Sequence, residues 1–332
     1  MDAGYLVETT KTGSAEKTLT SSGANAAGPL ASNRIGFRGT EKIGDMTAGF
    51  HYELGMDAGG TGNLATGANS NTTGAALTGF AANSAGSSSA GVRKSTVSLG
   101  SSVGTIEAGR NYTPIFNVSC ALDAFRCSNI NTGKTIYSVI ATTRDSGQIQ
   151  YTAPTIGGLT LSGSYASNVT EETGKADVGA DALGLSAVYA AGPLSLRAGW
   201  ASRKEKGGDE RKEMIIGGTY MVAKNLNVLV TWGDHQLDSS TGAQKASRKG
   251  YQIGAQYLIS PNTELIGQFG QRDDEAASGT GKTDVTGFNL GLVQSLSKRT
   301  RLYALYGSDE AKKTGSPTVE RTQFAVGVNH AF

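Results

Sequence analysis

From Arg34 onwards, apolar and polar residues alternate one by one in short runs. In Arg34-Ile-Gly-Phe-Arg-Gly-Thr40, Ile35 and Phe37 fall on one face of an extended chain and Arg34, Gly36, Arg38 and Thr40 on the other. Phe50, Tyr52 and Leu54 alternate with Gly49, His51 and Glu53, and Val97 and Leu99 with Lys94, Thr96 and Ser98. The pattern recurs to the end of the chain, through Leu196, Ala198 and Trp200, then Tyr251, Ile253 and Tyr257, and finally Phe324, Val326, Val328, His330 and Phe332. A side-chain period of two belongs to a β-strand. Repeated in this way it predicts sixteen strands of about nine to eleven residues, the length of a tilted membrane-crossing strand. The first covers Asp2 to Thr10, and a Gly/Ser/Thr/Ala-rich loop follows it to about Ser32.

Short turns such as Lys42-Ile-Gly-Asp45, Gly192-Pro193 and Ser260-Pro-Asn262 alternate with long polar loops. An up-and-down barrel has this rhythm, because turns of one kind collect at one rim and long loops at the other. A soluble sandwich mixes its loop lengths more freely. The face opposite the apolar one is rich in Gly, Ser, Thr, Gln, Arg and Glu, which suits a water-filled lumen. The expected fold is all-β: one 16-stranded antiparallel transmembrane β-barrel domain spanning residues 1–332.

One stretch departs from the rhythm. Between the strand-like segments Gly104–Arg110 and Ser146–Ala153 lies a connection too long to lack a role of its own. It carries Ile115, Phe116, Leu122, Phe125, Ile130, Ile136 and Val139, so it is expected to pack against a wall. Each buried anchor would contribute roughly 1.5–3 kcal/mol.

Composition narrows the choice. Gly accounts for 47 of 332 residues, charged residues for 17%, and mean hydropathy is −0.25. No apolar run approaches the length of about eighteen residues that a membrane helix needs, which excludes a helical membrane protein. A formal net charge of +2 without a Lys/Arg block argues against a nucleic-acid partner. Cys120 and Cys127 both fall in the long connection, where they could close a small disulfide ring in an oxidising compartment or remain two thiols. His51, His235 and His330 are scattered away from them, so no metal site is expected. His51 reads as a lumen residue, His235 as a loop-end residue and His330 as part of an interfacial girdle. The start of the chain carries no leader pattern, as in a mature or recut chain.

Four stretches together resemble a known family: Ser32-Asn-Arg-Ile-Gly-Phe-Arg-Gly-Thr-Glu41, Gly109-Arg-Asn-Tyr-Thr-Pro114, Gln148-Ile-Gln-Tyr-Thr-Ala-Pro154 and the closing Val326-Gly-Val-Asn-His-Ala-Phe332. The chain is similar along its whole length to the trimeric general porins of Gram-negative bacteria, β-proteobacterial type. The resemblance implies an outer-membrane homotrimer in contact with lipids and lipopolysaccharide, and passive diffusion of small anionic or neutral solutes. It implies that a constriction loop, here about 113–144, folds into the barrel, and that the terminal Phe332 is read by the outer-membrane assembly machinery. It departs from the family in a first strand that looks shortened, starting Met1-Asp-Ala-Gly4.

By parity, Arg34, Arg38 and Lys94 face the lumen, as does Arg144 if its strand begins early. Glu107 shares that face. Arg110 is added by the resemblance alone, since strict parity would point it outward unless the strand bulges. On the loop, Asp123 stands against Arg126 and Lys134, so the loop is not acidic. The balance is positive and predicts anion preference. Alternative readings are a substrate-specific channel for organic acid or phosphate anions, a surface adhesin barrel, and a neutral ladder in which these charges only stiffen the wall. Ser278-Gly-Thr-Gly-Lys-Thr283 hints at a phosphate-binding loop but has Ala276 where that motif needs Gly, and reads as a surface loop. Asp273-Asp-Glu275 reads as a solvated acidic cluster. No arrangement of Ser, His and Asp or paired carboxylates supports an enzyme, and no cofactor is expected.

Overall fold

The computed structural model describes residues 1–23, 30–31, 33–55, 92–128, 143–169, 180–204, 207–276 and 281–332. Lys134, Ile130, Ile136, Val139 and the first half of Ser278–Thr283 lie outside them. The described residues form seventeen strands and one short helix: β1 (Asp2–Thr12), β2 (Ala15–Gly23), β3 (Arg34–Ile43), β4 (Met46–Gly55), β5 (Val92–Ser101), β6 (Gly104–Tyr112), α1 (Pro114–Ala121), β7 (Arg144–Thr152), β8 (Leu159–Val169), β9 (Ala180–Ala191), β10 (Leu194–Lys204), β11 (Glu210–Ala223), β12 (Leu226–Asp238), β13 (Gln244–Ser260), β14 (Thr263–Ala276), β15 (Lys282–Ser295), β16 (Thr300–Lys313) and β17 (Val319–His330).

Sequential neighbours pair antiparallel from β3 through β17, and β17 then pairs with β1 along its whole length, from Asp2 opposite Asn329 to Thr12 opposite Val319. The first strand is therefore fully laddered over eleven residues. The strand count differs from the expected sixteen. β2 occupies part of what reads as a loop, because its sequence Ala-Glu-Lys-Thr-Leu-Thr-Ser-Ser-Gly has no apolar alternation to announce it. It is a strand through its backbone ladder to β1, helped by a hydroxyl pair between Thr9 and Thr18 at 3.0 Å.

The burial pattern is inside out. Ile35, Phe37, Val97, Ile253 and Leu290 on the apolar face are 45–64% exposed, whereas Gln148, Gln252, Thr231 and Gln323 on the polar face are at most 4% exposed. The sheet is a single layer, and its polar face is the concave, buried side. Inside lie the residues after β6, together with an apolar patch formed by Ile215, Leu229, Ile266, Val293 and Leu305. A charge pair between Arg203 of β10 and Asp145 of β7, three strands apart, also spans the concave side.

Candidate pore constriction

The loop after β6 begins with a capped helix. Thr113 accepts the Phe116 N–H at 3.3 Å through its hydroxyl, and Pro114 takes the first helical position, where its missing N–H costs nothing. α1 then carries Ile115 and Val118 onto the wall, and the chain continues across it through Leu122, Ala124 and Phe125, all at most 3% exposed. These anchors are the apolar groups that a water-exposed connection would not need.

The wall is carved to receive them. A Cβ added at Gly199 of β10 would stand 3.0 Å from Ile115, one at Gly217 of β11 2.9 Å from Leu122, one at Gly254 of β13 2.8 Å from Ala124, and one at Gly291 of β15 2.9 Å from Phe125. These glycines, which by period two alone belong to a solvated lumen, are sockets. Polar wall groups complete the seat. Thr231 and Gln252 both donate to the Leu122 carbonyl, at 2.9 and 2.8 Å, and Gln256 donates to that of Ala124 at 2.6 Å. Gln268 accepts the Ala124 N–H at 2.9 Å. Backbone groups that have left water thus find partners, and each such bond avoids a desolvation cost of about 1–3 kcal/mol.

The tip is a covalent ring, with Cys120 and Cys127 joined by a disulfide across a Cα separation of 5.1 Å. Arg126 and Cys127 inside it adopt left-handed backbone angles, φ 54° and 59°. Asp123 holds this turn. Its carboxylate accepts the N–H of Cys127 at 2.7 Å and of Phe125 at 3.3 Å. It is 1% exposed, so it caps the ring rather than lining a channel, contrary to its expected place. Burial pushes this carboxyl above its ordinary range, against those two hydrogen bonds. Arg126 forms a two-pronged pair with Glu264 of β14, at 2.7 and 3.2 Å.

Opposite this seat, strands β3 to β7 bear the charges. Arg34 and Arg93 share Glu53, at 3.6 and 2.8 Å, and Lys94 pairs with Glu107 at 2.9 Å. Arg38 lies across from His51 in the ladder and makes no ion pair among the described residues. Arg93 and Arg144 both donate to the Tyr112 hydroxyl, at 2.7 and 2.8 Å. The Arg144 guanidinium also stacks 4.4 Å from the Tyr112 ring centre, and that ring lies parallel to Phe116 at 4.9 Å. The cation cluster is therefore tied to the helix of the loop. Arg110 donates to the Val92 carbonyl and the Ser146 hydroxyl, each at 2.8 Å. The strand does break its regular pairing there. Gly109 has φ 130°, a side chain in its place would collide with the Ser95 carbonyl, and the β6–β7 register slips between Gly109 and Asn111.

Sequence reasoning missed several of these groups. Arg93 is the extra residue of a bulge, since Glu53 pairs with Lys94 while Leu54 pairs with Val92, and strict alternation hides such a residue. Tyr112 sits in the quoted Gly109–Pro114 stretch, and its aromatic ring beside two arginines was the available signal. On β11 to β14 the charged residues come from strands longer than eleven residues, beyond the segment length used to mark strand ends. Asp274, read as part of a solvated acidic cluster, is 5% exposed and bound by Arg248 and Arg272 at 2.9 Å each, while Asp273 stays exposed. His235, read as a loop-end residue, is buried on β12 with Nδ1 3.6 Å from Glu213. His330 stacks edge-on with Phe332, at 4.9 Å, near the rim.

A family model described as Gram-negative porin matches residues 2–314. Among curated proteins, an outer membrane porin protein 32 from Delftia acidovorans is 29% identical over 201 residues, which cover 57% of this chain and 51% of that protein. The matched part thus spans about half the length of that relative. Among solved structures, an anion-selective porin from Comamonas acidovorans superposes with a TM-score of 0.75 at 22% identity, covering 99% of this chain and 97% of the other. The trimer form of OmpT from Vibrio cholerae superposes with a TM-score of 0.66 at 14% identity, covering 98% of each chain. The match to the family model over almost the whole chain, on a sheet whose apolar face points outward, makes this chain a member of the Gram-negative porin family and places it in the outer membrane.

Proposed function

We propose that the sheet closes as a single transmembrane barrel over residues 1–332 and passes small hydrophilic solutes by passive diffusion, with anions preferred. The observation that carries the proposal is the inverted burial, apolar side chains outward and polar ones inward, which suits a wall between lipid and water. Strand sense supports closure. The free ends of the seventeen-strand ladder, β2 and β3, run the same way, whereas the sixteen strands left without β2 end in β1 and β3, which run in opposite senses as an antiparallel seam requires. On this reading β2 is an addition to a sixteen-stranded wall. Asp2 supports contact at that seam, since its carboxylate accepts the N–H groups of Leu30 and Ala31, at 2.9 and 2.6 Å.

Anion preference rests on the wall facing the loop, where Arg34, Arg38, Arg93, Lys94, Arg110 and Arg144 stand against Glu53 and Glu107, while the acid of the loop tip is buried. Lys134 would add a further cation on the loop. A unit charge about 10 Å from an ion in water contributes roughly 0.4 kcal/mol, so a net excess of a few charges in a narrow throat gives up to about tenfold selectivity. A homotrimer fits the trimeric state named for the OmpT structure, and the exposed Phe332 suits recognition by assembly machinery. The outer apolar face would meet lipids, with lipopolysaccharide at the long-loop rim. The test is the reversal potential of reconstituted protein across a planar bilayer under a salt gradient. Anion preference that shrinks in Arg93→Gln and Arg144→Gln supports the proposal, a cation preference overturns the electrostatic part, and folded protein without conductance overturns the channel itself.

A further inference from the structure

On the side of the loop tip that faces the short turns, the inner wall hollows into a cavity of about 370 Å³. That size falls in the range of small-molecule sites. Where the lining meets the loop, Glu264 offsets Arg126 by engaging two of its three guanidinium nitrogens. Arg301, also in the lining, donates to Asn329 at 2.9 Å through one nitrogen, so the lining keeps one net positive charge. Asn225, Asn227, Gln256 and Asn262 bring carboxamides to the rim, and the first three have donors engaged within the protein. Asn225 Nδ2 donates to the Leu258 carbonyl at 3.3 Å, Asn227 Nδ2 to Gln256 Oε1 at 3.1 Å, and Gln256 Nε2 to the Ala124 carbonyl at 2.6 Å. The Oδ1 atoms of Asn225 and Asn227 accept no hydrogen bond among the described residues. Met221 and Leu258 add an apolar surface to the same cavity.

This lining selects by chemistry. A carboxylate brings only acceptors, so it can answer a guanidinium but not the carboxamide oxygens. A hydroxylated ring brings O–H donors for those oxygens, acceptors for a guanidinium, and a C–H face for Met221 and Leu258. We propose that this cavity is a binding station for a neutral sugar-like solute of one or two rings, seated beside the constriction on the side of the short turns. The proposal rests on the channel reading above.

Maltose serves as the probe, added to either side of single channels in a planar bilayer. Transient current blocks are expected, more frequent from one side, and a linear polyethylene glycol of matching size should not reproduce them. Asn227→Ala should shorten the blocks about fivefold, the loss of one hydrogen bond. Asn227 also steadies Gln256, which holds the loop, so Met221→Ser provides a second variant on a strand wall and should shorten the blocks with open conductance unchanged. Equal block by the polymer, block unaltered in both variants, or block by acetate but not by maltose would overturn the proposal. Saturation-transfer NMR of maltose on detergent-solubilised protein reads the station without any current. Absent conductance with intact NMR transfer would fault the channel reading alone, and conductance without transfer or block would fault the station alone.

Discussion

The two halves of the inner wall differ in what they offer the loop. Strands β9 to β15 hold the loop with shape, through glycine sockets under Ile115, Leu122, Ala124 and Phe125 and a row of Thr and Gln side chains on its backbone. Strands β3 to β7 hold charge, with arginines gathered on Glu53 and Tyr112. On the proposed function, width and selectivity would rest on different residues, so that each can be altered with the other left in place.

Opening the tip ring should have the largest effect. In Cys120→Ser combined with Cys127→Ser, the closed ring of about eight residues loses a constraint of about 2.5 kcal/mol. Single-channel records should gain closures and current noise, with the anion preference retained. A quiet channel of unchanged conductance would mean that the wall seat alone fixes the loop. Filling a socket comes next. Gly254→Leu overpacks the seat of Ala124, at a cost of about 1–3 kcal/mol, and should lower the thermal midpoint and change open conductance. Gly49→Ala on the charged wall meets only the Ser98 hydroxyl as its nearest neighbour and should leave conductance as it is, so equal changes in both would erase the distinction between the halves.

Charge removal is expected to act more gently. Arg93→Gln should lower the anion-to-cation permeability ratio by about twofold, the effect of one partly screened charge, and leave the thermal midpoint of the loop seat nearly unchanged. A ratio that stays fixed would mean that Glu53 already cancels Arg93 for a passing ion. The smallest effect concerns Asp123. Its carboxyl is raised above 3.8 by burial, so the folded chain binds that proton more tightly than the unfolded chain does. Its charged form opposes folding at neutral pH, and this cost is relieved as pH falls through the raised value towards 3.8. Thermal midpoints measured between about pH 4 and 7 should carry a small contribution of this sign that Asp123→Asn removes. An identical profile in the variant would assign the slope to other carboxylates.

The strands from β3 onwards, the outward apolar face and the existence of an anchored loop are legible in the sequence because each leaves a periodic mark or breaks one. Ile35, Phe37 and their counterparts can occupy only one face, and the anchors of the loop cannot all be solvated. β2 left no such mark, since neither of its faces is apolar and its partner alone makes it a strand. The site was read less fully for a related reason. Arg93 and Arg110 owe their positions to a bulge and a left-handed glycine, which shift side chains between faces without changing composition. Asp123 was assigned by charge, whereas its place was decided by two backbone N–H groups that needed an acceptor.

The hydrogen bond from Ala124 to Gln268 joins residues 144 positions apart, and those from Thr231 and Gln252 to the Leu122 carbonyl are nearly as distant in the chain. A nascent chain therefore makes the loop long before the strands that will hold it, and contacts of such separation are slow to form because chain entropy opposes them until the intervening strands are laddered. Docking of the loop is consequently a late step in assembly. Protection of its backbone amides from hydrogen exchange would report the moment at which the far half of the sheet has come into register.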